Sequence, residues 1–280
     1  MVSVNKKCSP FVKWAGGKRK LISQILPHFP KEFNNYFEPF IGGGAVIFEI
    51  QNYSNIQKFY ISDLNSDLIN LYLTVKNKPE KLLSELKIHE NNEEYFYKIR
   101  NLDRDEKIFS KLTDIQKASR FLYLNKTAFN GLYRVNSKNQ FNVPFGKYKN
   151  PNYADSENIL KCSQFLKKVN IFNQDFEEFK KLIKKGDFIY FDPPYFPVNK
   201  TSSFTSYTQN GFDLSEQKRL LNMMRWIDSI GAYFLLSNAH TEETLDFYKE
   251  FKIIEVETGR SINSKAQNRG KIKEILVKNY

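Results

Sequence analysis

Hydrophobic positions along the chain recur with two periods, and the switching between them predicts an α/β protein. Short apolar runs closed by Gly, Pro, Asn or Asp stand at YFEPFIGGG, FYISD, VNIFNQDF, DFIYFDPPY and AYFLLSN, and read as buried strands. From Pro10 to Asn70 the order is strand, loop, helix, strand, with KLISQILPHF helix-like and an amphipathic helix expected directly after the glycines of FEPFIGGG. A helical stretch from Leu71 to Leu124 carries KPEKLLSEL, EEYFYKIRNL and DIQKASRFLYLN, with charges on the solvent faces. AFNGLYRVNSKNQFNVPFGKYKNP then reads as a hairpin, LYRVN against FNVPF, turning at Ser137 to Gln140. After it come VNIFNQDF, DFIYFDPPY, a Ser/Thr-rich loop TSSFTSYTQNGF, a helix from Leu214 to Ile230, AYFLLSN, a helix in TEETLDFYKE, and closing strands KIIEVET and KEILVKNY. The expected organisation is an α/β domain formed by residues 1–69 and 166–280, interrupted at 70–165 by a helical, basic insert.

Composition narrows the function classes. The formal charge of +12 on 280 residues attracts polyanions, although a lysine-rich proteome gives similar charge to ordinary proteins, so position has to decide. Cys8 and Cys162 are too few and too far apart in sequence for a disulfide framework or zinc cluster, and His28, His89 and His240 are scattered without metal-ligand spacing. No bound metal is expected. No run reaches the roughly 18 apolar residues of a membrane span, and MVSVNKKCSP lacks the apolar centre of a signal peptide, so a cytoplasmic location is expected.

Four stretches carry candidate chemistry. Gly42 to Gly44 let the backbone turn tightly and a ligand approach the main chain. Asp63 follows 19 residues after Gly44 at the tip of a strand, where a doubly wound sheet grips ribose hydroxyls; the alternative is an N-cap for the next helix. The loop is neither GxGxxG nor a P-loop, so a nucleoside without phosphates fits better than a pyrophosphate, and S-adenosylmethionine answers that description. In FVKWAGGK, Trp14 either stacks on a ligand or is core, and Lys18 either binds a carboxylate or is solvated. In DPPY, two prolines fix φ and remove two donors, leaving the Asp192 carboxylate and the Pro193 carbonyl as an acceptor pair suited to an exocyclic amino group, with Tyr195 as a flat stacking face. Glu178-Phe179-Lys180 mimics the ExK of a nuclease, but it sits in a helical pattern with no strand to carry it.

These stretches, in this order, resemble the Dam-type DNA adenine-N6 methyltransferases: FVKWAGGK, FEPFIGGG, FNGLYRVN, FNVPFGKYK and DPPY together cover the chain from about Pro10 to Tyr280. The resemblance implies a Rossmann-like S-adenosylmethionine-dependent methyltransferase domain with an inserted helical target-recognition domain containing a β-hairpin. It further implies that Trp14, Lys18, Asp63 and Asp192 contact S-adenosylmethionine, that Glu38, Pro39, Phe40, Gly42 and Gly44 shape its pocket, and that Asp175 and Phe176 lie near its adenine. Asp192, Pro193, Pro194 and Tyr195 would hold the target adenine. On the DNA side, Lys13, Asn130, Arg134, Pro144, Lys147 and Tyr148 match positions that contact bases or phosphates, and Phe129 matches a ring that inserts into the stack. Lys147 stands where some relatives carry arginine, and a lysine lacks the forked contact, so the outer base would be read less stringently.

The activity so implied is methyl transfer from S-adenosylmethionine to N6 of an adenine flipped out of duplex DNA, within GATC by resemblance. The product would be S-adenosylhomocysteine, with no metal, no obligate protein partner and no membrane, the enzyme being held at the nucleoid through DNA. Two alternatives are a catalytically silent DNA-binding relative and an N4-cytosine methyltransferase. Intact DPPY, Asp63 and both glycine stretches argue against the first.

Overall fold

The computed structural model describes residues 7–195, 212–259 and 271–280. Its centre is a seven-stranded sheet: β1 (Tyr36–Glu38), β2 (Phe59–Ser62), β3 (Val169–Phe172), β4 (Phe188–Phe191), β5 (Tyr233–Ala239), β6 (Lys252–Gly259) and β7 (Lys271–Lys278), in the order β3-β2-β1-β4-β5-β7-β6. The first five strands are parallel, and β7 runs antiparallel between β5 and β6. From β1 the chain builds outward to β2 and β3 on one side and later to β4 and β5 on the other. The order therefore reverses between β1 and β4, where open α/β sheets bind ligands beyond their carboxyl ends.

Both sheet faces are buried, which is why the strands read as near-continuous apolar runs. Tyr36, Phe188, Tyr190 and Leu235 enter one core, while Phe37, Ile189, Phe191 and Phe234 alternate into the other. The second core is closed by α8 (Leu214–Ser229) through Leu220, Met223, Met224 and Ile227. α9 (Glu242–Phe247) follows β5 with a Thr241–Thr244 capping box.

The helices ahead of α8 are α1 (Ile22–Ile25), α2 (Ser66–Asn77), α3 (Pro79–Leu86), α4 (Glu93–Asn101), α5 (Glu106–Phe109), α6 (Asp114–Thr127) and α7 (Ser156–Leu166). α2 through α7 lie between β2 and β3, and their buried residues Leu68, Tyr72, Leu82, Phe96, Phe121 and Tyr123 belong to the same core cluster as the sheet's Tyr36, Phe59 and Phe188. The insert thus shares its core with the sheet. Arg120 of α6 is buried, ion-pairs with Asp103 at 2.7 Å and donates to the carbonyls of Ile99 and Arg100, locking α4 to α6. Cys8 and Cys162, far apart in sequence, are buried free thiols of one core, Cys8 donating to Gln51 Oε1 at 3.1 Å and Cys162 to Ser9 O at 3.3 Å.

Three expectations need correction. KLISQILPHF is broken into α1 and flanking 3-10 turns, Lys18–Lys20 and Leu26–His28, because Pro27 cannot donate to a continuing helix. The segment after FEPFIGGG forms turns in which Phe48 N–H reaches Gly44 O but Glu49 N–H reaches Val46 O, not an amphipathic helix. Val46, Ile47 and Phe48 are all buried, so three successive side chains face the core instead of one stripe, and the β-branched Val46 and Ile47 disfavour the helix further. LYRVN and FNVPF do face each other, but through a single bridge, Val135 with Phe141, and no regular hairpin strand forms. Pro144 offers no N–H, and its carbonyl instead accepts from Phe129 N–H at 2.9 Å. TSSFTSYTQNGF, apart from Phe212, lies outside the described residues.

Gly44 has φ +70, and a Cβ there would stand 2.7 Å from the Tyr72 hydroxyl and 3.0 Å from the Phe48 ring. Gly44→Ala combines left-handed strain with overpacking, so it is expected to destabilise the fold by about 2–4 kcal/mol. Urea unfolding should show a lower midpoint at unchanged slope; an unchanged midpoint would contradict this reading of the loop.

Candidate active site

The glycine loop crosses from β1 towards β2 and is fastened there by main-chain contacts. Ile41 N–H donates to Ser62 O at 3.0 Å, Gly44 N–H to Ile41 O at 2.7 Å, and the Tyr72 hydroxyl to Gly42 O at 3.1 Å. Gly42 and Gly44 both have positive φ, which glycine alone adopts without cost. Asp63, at the end of β2, accepts from Gly42 N–H at 3.0 Å and Asn65 N–H at 2.9 Å. The N-cap of α2 is Asn65, whose side chain accepts from Leu68 N–H, so Asp63 is not the cap. Desolvation pushes the Asp63 carboxyl up, while the backbone donors hold it down.

β4 ends at Asp192 on the opposite side of the switch. Its Oδ1 accepts the Ser237 hydroxyl of β5 at 3.0 Å and ion-pairs with Lys18 Nζ at 2.9 Å. Among the described residues no donor reaches Asp192 Oδ2 or the Pro193 carbonyl, whereas the Pro194 carbonyl accepts from Gln217 Nε2 at 3.3 Å. The acceptor pair read from the sequence is therefore Asp192 and Pro193, with Pro194 tied back to α8. Lys18 is only 3% exposed; its ammonium also donates to Gly16 O at 2.9 Å, lies 3.8 Å from Glu274 Oε2, and sits 4.5 Å from the Tyr195 ring centroid. Of the two readings of Lys18, solvated or binding a carboxylate, the structure shows the second, with the carboxylate supplied by the chain itself. The Tyr195 hydroxyl donates to Glu274 Oε2 at 2.5 Å.

The glycine loop, Asp63, Lys18, Asp192, Pro193, Pro194 and Tyr195 line one cavity of about 720 Å³, which also takes in Trp14, Glu38, Pro39 and Phe40. Its far end is aromatic: Phe40 packs 5.5 Å from Phe176 and 5.6 Å from Phe212. Glu38 is buried beside Tyr36, whose hydroxyl donates to its Oε2 at 2.9 Å. Burial, with a smaller push from the Asp192 charge, raises the Glu38 carboxyl to about 8. Trp14 is partly buried against the core, stacking on Tyr133 and Phe121 of the insert at 5.7 and 6.4 Å, and also lines the cavity. Asp175 is spent on capping Glu177 N–H and pairing with Arg219 at 2.7 Å; its neighbours Gln174 and Phe176 line the cavity.

On the DNA side, Lys13 and Asn130 reach the cavity mouth, and the Lys13 ammonium stands 4.3 Å from the Tyr148 ring centroid. Phe129, Asn130, Arg134, Pro144 and Lys147 are exposed, with the Phe129 ring 52% accessible, unusual for a phenylalanine. Arg134 leans away onto Asn142 through its Nε at 2.8 Å. The loop bearing Lys147 and Tyr148 is held by Asn91, which donates to the carbonyls of Tyr148 and Lys149, beside a half-buried His89 whose ring nitrogens meet Tyr95 and Ser119. Glu178, Phe179 and Lys180 lie in a 3-10 helix, Phe176–Lys181, which removes the nuclease reading.

Sequence reasoning missed Glu274, Lys126, Arg19, Gln174, Phe212 and Glu216. Lys126 and Arg19 add positive charge at the cavity wall, and burial lowers the Lys126 ammonium to about 8. Among the described residues no group of three metal-ligating side chains occurs, and no helix is long and apolar enough to cross a membrane.

Residues 14–262 match the family model described as D12 class N6 adenine-specific DNA methyltransferase. The chain is 46% identical to the type II methyltransferase M1.LlaDCHI of Lactococcus lactis subsp. cremoris, over 97% of this chain and 95% of that one. It is 42% identical to the type II methyltransferase M.MjaIII of Methanocaldococcus jannaschii, over 97% and 99%, and 35% identical to the DNA adenine methylase of Haemophilus influenzae, over 97% and 93%. With a cavity at the sheet's switch point, an open carboxylate at the end of β4 and a match across most of its length, the chain belongs to the D12 class of N6 adenine-specific DNA methyltransferases.

Proposed function

We propose that the methyl donor is S-adenosylmethionine, that the target is the adenine of GATC in duplex DNA, and that residues 70–165 recognise it. The observation that carries this reading is the open acceptor pair of Asp192 Oδ2 and the Pro193 carbonyl, set on the wall of the same cavity as the glycine loop.

The cavity fits the donor on its own chemistry. Asp63 presents a carboxylate at the end of β2, where ribose hydroxyls find an acceptor. Phe40, Phe176 and Phe212 offer apolar faces to a purine, and Glu38 offers a carboxyl to a cationic tail. When bound, the donor supplies a methyl group on a sulfonium. The remaining chemistry belongs to the chain. Asp192 and Pro193 accept the two N6 hydrogens, which favours a pyramidal nitrogen with a localised lone pair. Holding that nitrogen in place provides most of the acceleration, as in other oriented bimolecular reactions.

An adenine inside a duplex must first be rotated out, at a cost of a few kcal/mol. The exposed Phe129 ring is suited to filling the gap, and Tyr195 to stacking on the extruded base. Arg134 and Lys13 are the candidates for guanine O6 and N7 in the major groove, with the remaining lysines on phosphates. The relatives at 46% and 42% identity are named type II methyltransferases, which favours a modification enzyme of a restriction-modification system.

Labelled donor with a GATC duplex is expected to give N6-methyladenine after digestion to nucleosides, and a scrambled duplex much less. Asp192→Ala is expected to lose at least about 100-fold in turnover while still binding DNA. N4-methylcytosine, or no transfer at saturating DNA, would overturn the functional reading; normal turnover in Asp192→Ala would remove Asp192 from it.

Glu38 generates a separate expectation. Its carboxyl titrates near 8 in the fold against 4.5 when unfolded, so between those values the folded state keeps a proton that the unfolded state has lost. Its contribution is complete below 4.5 and declines as pH rises towards 8, by up to about 1.4 kcal/mol per pH unit. Glu38→Gln keeps an acceptor for Tyr36 and should flatten the stability-pH curve between pH 5 and 8; urea midpoints with the wild-type slope would contradict this.

A further inference from the structure

Lys18, Asp192 and Glu274 meet from three separate parts of the chain: the loop before β1, the end of β4 and the middle of β7. Two carboxylates share one ammonium, so the cluster carries a net charge of −1 with all three groups ionised. Lys18 has three N–H donors. One goes to Asp192 Oδ1 at 2.9 Å and one to Gly16 O at 2.9 Å, while Glu274 Oε2 waits at 3.8 Å, beyond hydrogen-bond reach. The Glu274 side chain is 13% exposed, and its Oε2 already accepts the Tyr195 hydroxyl. Glu274 therefore stands beside the ammonium paired with Asp192 Oδ1 and holds the hydroxyl of the ring next to it.

An ammonium held on Asp192 weakens that carboxylate as an acceptor, because its charge is already answered. Moving the Lys18 ammonium off Asp192 without a second partner would leave a buried cation uncompensated, which is costly. We infer that Glu274 is a positioning residue for methyl transfer: it takes over the Lys18 ammonium from Asp192 Oδ1 when the target base arrives, so that the open Oδ2 of Asp192 becomes a stronger acceptor for the N6 amino group, and it anchors Tyr195 by its hydroxyl throughout. The inference rests on the proposed function and names a residue that this function did not use. The move is short, since closing 3.8 Å to a normal ion-pair distance needs a rotation of the lysine tip while Gly16 O keeps its contact. The environment is consistent with this: burial raises the Glu274 carboxyl, and Lys18 and the Tyr195 hydroxyl hold it down.

The test is steady-state kinetics on the full-length enzyme with the labelled-donor assay. Glu274→Gln keeps the shape and an acceptor for Tyr195 but removes the charge; Glu274→Asp keeps the charge. In Glu274→Gln the ammonium has only Asp192 left. Expected is a fall in kcat of about 10- to 100-fold with KM for DNA changed by less than about 3-fold. Glu274→Asp should recover most of the rate. Wild-type kcat in Glu274→Gln overturns the inference, and so does an equal loss in both variants, the result of a merely structural role. Wild-type enzyme that transfers no methyl to adenine overturns the functional reading itself, which separates the two failures.

Discussion

A buried ammonium organises the site. Lys18 is almost wholly removed from water, and an unpaired charge there would cost several kcal/mol. Its neighbours follow from that cost: Asp192 has to stand where β4 stops, Gly16 has to turn its carbonyl inward, and Glu274 has to point from β7 towards the same place. The antiparallel insertion of β7 beside β5 is what brings a C-terminal carboxylate next to an N-terminal lysine, with Glu274 opposite Ala239. The prolines after Asp192 stop the ladder, so the carboxylate and the Pro193 carbonyl face a cavity instead of another strand. A net negative floor is also the right charge for a sulfonium donor.

The same economy links the proposed cofactor side to the proposed DNA side. Trp14 lies three residues after Phe11 and four before Lys18, touches the glycine loop, and stacks on Tyr133 and Phe121 of the insert. Lys13, the residue before it, donates its N–H to Asn125 of α6 and lays its side chain over Gly131, where a Cβ would be only 2.2 Å away. The N-terminal stretch is thus clamped between the sheet and the insert. Because the insert has no core of its own, changes at the recognition loop and at the donor pocket share a packed boundary, which is a physical route for coupling between them.

Much of this was legible in the sequence because its signals were local. Strands buried on both faces show as apolar runs, DPPY shows as a strand that cannot continue, and Asp63 shows by its spacing from the glycines. What stayed hidden depended on long-range pairing. Glu274 sits in KIKEILVK, where an alternating charge reads as a solvent face, and only the sheet order turns it inward. Asp175, which the resemblance puts near the cofactor adenine, pairs with Arg219, distant in sequence, while its neighbours Gln174 and Phe176 line the cavity. The helix expected after FEPFIGGG failed because periodicity cannot distinguish a helix with one apolar face from a short turn that buries three successive side chains. The hairpin reduced to one bridge because alternation specifies which side chains face inward, not whether main-chain groups pair. Tyr133, Val135, Phe141 and Val143 do point inward as that alternation requires.

The most direct measurement is a crystal structure of the enzyme with a GATC duplex and S-adenosylhomocysteine. The target adenine should be found outside the helix with N6 within hydrogen-bond distance of Asp192 and the Pro193 carbonyl, Phe129 in the vacated stack, and Lys18 Nζ paired with Glu274. An adenine left stacked in the duplex, or an extruded base whose N6 meets neither acceptor while Lys18 stays on Asp192, would contradict the account at its centre.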